Sequence, residues 1–82
     1  MAFYQIDITT TALGGKPYTK SGFFRVWDNA NIYRDAAIES AKKRGFRLLE
    51  EKHENGVLTN TYISDTTAMT IEITVYDRKF DD

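Results

Sequence analysis

The dipeptide Asn55-Gly56, set between two segments of alternating apolar and polar residues, constrains this chain more than any other feature. A type I′ turn needs positive φ at both central residues, and Asn-Gly supplies it at low cost. Read as a two-residue loop, it predicts a hairpin of strands 46–53 and 57–63. The register places Glu54 opposite Val57, His53 opposite Leu58, Leu49 opposite Tyr62 and Leu48 opposite Ile63. A lone hairpin is marginal in water, so further elements must cover it.

Three more segments supply them. Residues 2–11 alternate, with Tyr4, Ile6 and Ile8 on one side and Phe3, Gln5, Asp7 and Thr9 on the other, the period of a half-buried strand. A loop follows at Leu13-Gly14-Gly15-Lys16-Pro17, and Phe23–Trp27 reads as a second strand antiparallel to the first. In that strand Phe24 and Val26 share one face, and Phe23, Arg25 and Trp27 share the other. The last strand, 68–76, follows a turn at Ser64-Asp65-Thr66-Thr67. A four-residue loop there sets Tyr62 beside Met69 and Leu58 beside Ile73. One face then carries Leu49, Leu58, Tyr62, Met69, Ile71, Ile73 and Val75. A one-residue slip in this turn would exchange the faces of the last strand.

Between the second and third strands the period changes. Ala30, Tyr33, Ala37 and Ala41 recur on one helical face, while Asp35, Glu39, Lys42 and Lys43 lie opposite. Asp28, Asn29 and Asn31 offer N-cap side chains. Lys42-Lys43-Arg44 complements the negative helix end, and Gly45 fits the left-handed position beyond it. The expected fold is therefore α+β: a two-layer domain, ββαβββ, with a mainly antiparallel five-stranded sheet and one helix on one face. The whole chain, 1–82, reads as one small domain with a frayed tail from Asp77 to Asp82. Such a chain buries only about 60–65% of its unfolded surface, so its core is thin.

Composition narrows the function classes. With no cysteine, neither a disulfide framework nor a Cys-type zinc site can form. Eleven basic residues against twelve acidic ones leave a net charge of −1, without the basic surplus of most nucleic-acid binders. The start, Met1 to Asp7, lacks the basic and apolar regions of a secretory signal, and a cytoplasmic location is the expectation.

Catalytic groupings are missing from the pattern. His53 is the only histidine; it suits a general base or a pH-sensitive contact, but an exposed strand-end histidine is the ordinary reading. Ser21, Ser40, Ser64 and the threonines lack a nucleophile motif. Glu50 and Glu51 are adjacent on a strand and point to opposite faces. Asp77, Asp81 and Asp82 lack calcium-loop spacing. Gly14-Gly15-Lys16 runs into Pro17 rather than a helix, unlike a phosphate loop. The chain is expected to act without catalysis, cofactor or metal.

One group remains. Phe23, Arg25 and Trp27, with Phe3 on the neighbouring strand, would form an aromatic and arginine patch on the uncovered sheet face. Such a patch suits a protein hot spot, base stacking, or burial in a homodimer. Because several aromatics are rarely left wet together, association is expected. The order of strand, Asn-rich cap, Ala-faced helix, Gly and strand over residues 23–50 is similar to that of many unrelated small proteins, phage-encoded inhibitors among them. Such similarity does not fix function.

The leading expectation is a non-enzymatic protein-binding module: a small inhibitor, a phage-type anti-defence inhibitor included, or an adaptor. It would dock on a larger protein by its open sheet face or an edge strand. A second reading is a single-stranded nucleic-acid binder that adds Lys42, Lys43, Arg44 and Arg47 to the patch. A third is a subunit of an oligomeric enzyme whose inter-chain site unites copies of His53 or of the glutamates.

Overall fold

Alternation and helical periodicity resolve into the order ββαβββ in the computed structural model, which describes residues 2–79. Strands β1 (Ala2–Thr11), β2 (Tyr18–Phe24), β3 (Phe46–Glu54), β4 (Val57–Ser64) and β5 (Thr70–Lys79) form one antiparallel sheet, ordered β2-β1-β5-β4-β3. Helix α1 (Trp27–Lys43) covers one face. Its 17 residues give a rod of about 25 Å. Five strands spaced about 4.8 Å apart span about 19 Å, so the helix carries the chain from one sheet edge to the other. Among the described residues, no helix is long and apolar enough to cross a membrane.

The core lies between helix and sheet. Ile6 of β1 and Ile73 of β5 are fully buried, with Ala30 and Ala41 of α1 above them and Phe46, Tyr62, Ile71 and Val75 around them. Tyr4, Ile8, Phe24, Tyr33, Ala37, Ile38, Leu58 and Met69 pack against this layer. Alanine at the helix contacts lets the rod approach the sheet closely. Space is short at Gly22 of β2, where a Cβ would stand 2.9 Å from the Phe24 ring and 3.3 Å from the Tyr33 ring of the helix.

The Asn-Gly turn forms as its chemistry requires, with Asn55 at φ 50° and Gly56 at φ 75°. At the tip, Glu54 faces Val57 and His53 faces Leu58. Further along, the predicted register fails by one residue. A β-bulge between Leu48 and Glu50 brings Leu48, not Leu49, opposite Tyr62, and Arg47 opposite Ile63. Leu49 therefore leaves the buried face and is about half exposed. The bulge follows from the strand's position, because a kinked, charged edge resists pairing with another chain.

Three other expectations change. The β4–β5 turn is two residues longer than predicted, setting Tyr62 opposite Ile71 and Leu58 opposite Val75. A two-residue shift conserves the faces, so Leu58, Tyr62, Met69, Ile71, Ile73 and Val75 still join the core. The helix starts at Trp27, and its N-cap is Val26 (φ −113°, ψ 129°) without a side-chain cap. Asp28, Asn29 and Asn31 thus lie inside α1. Packing decides the start: the Trp27 ring meets Tyr4 edge-on at 5.3 Å, and Phe24 meets Tyr33 at 5.1 Å. Such aromatic contacts add to burial and outweigh a cap of about 1 kcal/mol. The tail from Asp77 does not fray at once, since Asp77, Arg78 and Lys79 pair with Tyr4, Phe3 and Ala2. Residues 80–82 of that predicted tail lie outside the described residues.

Ile73→Ala is expected to cost about 2–5 kcal/mol in urea unfolding through the cavity it leaves. Leu13→Ala, in the exposed loop between β1 and β2, should stay within about 0.5 kcal/mol.

Candidate functional site

The predicted patch is split by the early start of α1. β2 ends at Phe24, so Arg25 and Val26 form a bend and Trp27 opens the helix. Phe23 and Phe3 sit on the open sheet face, ring centroids 6.2 Å apart. Trp27 is instead on the helix side, against Tyr4. The single-face grouping of Phe23, Arg25 and Trp27 is thus corrected. Together the residues wrap one end of the sheet, and Phe23, Val26 and Trp27 stay 64%, 53% and 41% exposed.

The rest of the open face is suited to water. The Asp7 carboxylate accepts bonds from Ser21 Oγ at 2.7 Å and Gln5 Nε2 at 3.0 Å. The Thr9 and Thr19 hydroxyls lie 2.9 Å apart, and Lys52 Nζ lies 3.5 Å from Glu50 Oε1. Hydroxyl ladders and paired charges need no protein cover. The aromatic pair at the Phe3–Phe23 end, with Phe23 largely exposed, is different.

On the helix side, Trp27 forms one wall of a cleft of about 330 Å³. Tyr4, Leu58 and Val75 also line it, with His53 and Asp77. The cleft exists because α1 begins at Trp27, leaving this corner of the sheet beyond its cover. Its lining is largely apolar. His53, an exposed residue, contributes to its wall.

The basic residues gather elsewhere. Lys42 and Lys43 occupy the last turn of α1, about 25 Å from Trp27. Arg44 lies over the Phe46 ring at 5.2 Å, and Arg47 binds Asp65 at 3.0 Å. Aromatic and basic groups therefore do not converge. Among the described residues no three His, Asp or Glu side chains come together to hold a metal ion.

Sequence reasoning missed one polar chain under the helix. Arg34 Nη2 donates to Asn60 Oδ1 at 2.7 Å, and Asn60 Nδ2 donates to Glu51 Oε2 at 2.6 Å. Asn60 is almost completely buried, and Arg34 Nε is buried without a partner. The signal was present: Asn60 falls between Leu58 and Tyr62 on the buried face of β4, and Arg34 between Ala30 and Ala37 on the buried stripe of α1. Burial pushes the neighbouring Tyr62 phenol above its ordinary pKa of 10.0; Arg34 opposes the shift and Glu51 reinforces it. The folded chain thus holds this proton more tightly than the unfolded one. Its stabilising contribution is complete below pH 10 and is lost as pH rises through the folded value. Chemical denaturation should show stability declining above about pH 10, and Tyr62→Phe should reduce that decline.

Comparison with models of known protein families, with curated proteins and with solved structures gave no match, and the reading of this site rests on its own geometry.

Proposed function

We propose that this protein is a non-enzymatic binding module of the inhibitor or adaptor kind, docking the aromatic end of its sheet onto a larger protein. The observation behind this reading is the concentration of exposed apolar surface at one place. Phe23, Val26 and Trp27 stand out within five consecutive residues around Arg25 at one end of the sheet, Phe23 on its open face and Trp27 beside a cleft on its helix side. Large aromatics and arginine dominate the energetics of protein interfaces, and contiguous apolar patches on small proteins mark such interfaces. Arg25 has no carboxylate partner among the described residues. The complementary surface is therefore an apolar side chain for the cleft, flanked by an acidic group for Arg25.

The nucleic-acid reading loses its geometric basis, since the basic helix end and the aromatic end are a helix length apart. Steep weakening with salt on single-stranded oligonucleotides would restore it.

A tagged copy recovered from its native host, with bound proteins identified by mass spectrometry, supplies the partner for the decisive measurement. Trp27→Ala and Arg25→Ala should each weaken affinity for that purified partner by about tenfold or more, roughly 1.4 kcal/mol. Lys43→Ala, at the far helix end, should leave it unchanged. Full affinity in both Trp27→Ala and Arg25→Ala would eliminate this end of the sheet as the docking surface.

A further inference from the structure

The two edges of the sheet are built differently. β3 is bulged and carries Arg47, Glu50, Glu51, Lys52 and Glu54 among its nine residues. These are the ordinary devices against edge pairing. β2 has neither: its seven residues, Tyr18 to Phe24, contain one charge, Lys20, no proline and no register shift against β1. Its outer backbone groups form a flat, unprotected row.

The helix flank above this edge matches it. Tyr33 leans toward β2, over Gly22 and Phe24, whereas Arg34 leans toward β4. One step further round the helix from Tyr33 come Ser40, Asn29 and Ala36, all exposed and uncharged, with Lys43 beyond them toward the outer crest. On the other flank the exposed positions are charged: Asp35, Glu39 and Lys42.

From these features we infer that β2 pairs antiparallel with β2 of a second copy about a two-fold axis at Ser21, forming a continuous ten-stranded sheet with the Asn29 and Ala36 flanks of the two helices facing each other above it. Centring on Ser21 uses the whole strand. Tyr18, 69% exposed in the single chain, meets Phe24 of the second copy on the helix side. Thr19 meets Phe23 on the open side. Lys20 meets Gly22, over which the Phe24 and Tyr33 rings lie, so each ammonium reaches an aromatic surface while the two Lys20 residues stand diagonally across the axis. An isologous contact of this kind closes on itself and cannot propagate into a fibre. It goes beyond the docking reading: Phe23 is shared by the two surfaces, but Arg25, Val26 and Trp27 lie outside the paired segment. His53 on β3 is four strands away, so this dimer does not assemble an inter-chain histidine site.

Light scattering and sedimentation of the intact chain should give twice the 9.4 kDa mass. Ala36→Glu, at an exposed helix position, should raise the dimer dissociation constant by about tenfold or more with an unchanged circular dichroism spectrum. The chain has no cysteine, so Ser21→Cys introduces a single thiol on the axis, and mild oxidation should yield a disulfide-linked dimer. Thr61→Cys, near the middle of the open face, should remain unlinked under the same conditions. A monomer at submillimolar concentration overturns the inference. A dimer that ignores Ala36→Glu, or a folded Ser21→Cys variant that fails to link, overturns it equally, because association then uses another surface.

Discussion

Close contact between small residues of one helix and two isoleucines of the sheet underlies the rest of this structure. Ala30 and Ala41 share one core cluster with Ile6 and Ile73, and all four are buried or nearly so. Larger side chains at the helix positions would lift the rod from the sheet and open voids in a core with little to spare. That seating fixes where the helix begins and ends. Its start leaves Tyr4 free to meet Trp27, and its end brings Arg44 over Phe46. The aromatic corner is a direct consequence of helix placement.

Burial on one face leaves the other to be stabilised in water. Threonine, serine and paired charges do this on most of the open face, so an uncovered sheet face is not in itself an adhesive one. The proposed contact places are local: the end around Arg25, and the sparsely charged edge strand β2. Beneath the helix, the chain from Arg34 through Asn60 to Glu51 places polar groups where an apolar layer would also fit. Removing one member leaves another unsatisfied, which costs about 1–3 kcal/mol, so the network ties the helix to one position on the sheet.

Much of the fold was legible because its signals are local. Alternation in residues 2–11, the Asn-Gly turn and the alanine stripe each name an element without reference to the rest. Features that depend on distant contacts were not legible. Leu48 and Leu49 are both apolar and both end about half exposed, so the alternation does not reveal where the bulge falls. The β4–β5 turn is lengthened with Ala68 at φ 53°, a conformation no residue type there announces. Trp27 reads as a strand residue until Tyr4 is known to lie beside it. That contact moved half of the candidate site to the opposite face while leaving its residues at the same end.

The position of β5 has a consequence for how the chain acquires its shape. β1–β2 and β3–β4 are each joined by local turns, but they touch one another only through β5, which pairs with both. Before this strand is in place, the two hairpins have no hydrogen bonds in common. During synthesis the domain must therefore wait for its fifth strand to leave the ribosome. Its closing step joins residues some seventy positions apart, and a high contact order of this kind slows folding. In that interval both sides of the gap present unpaired strands, the state in which so small a protein is most exposed to aggregation.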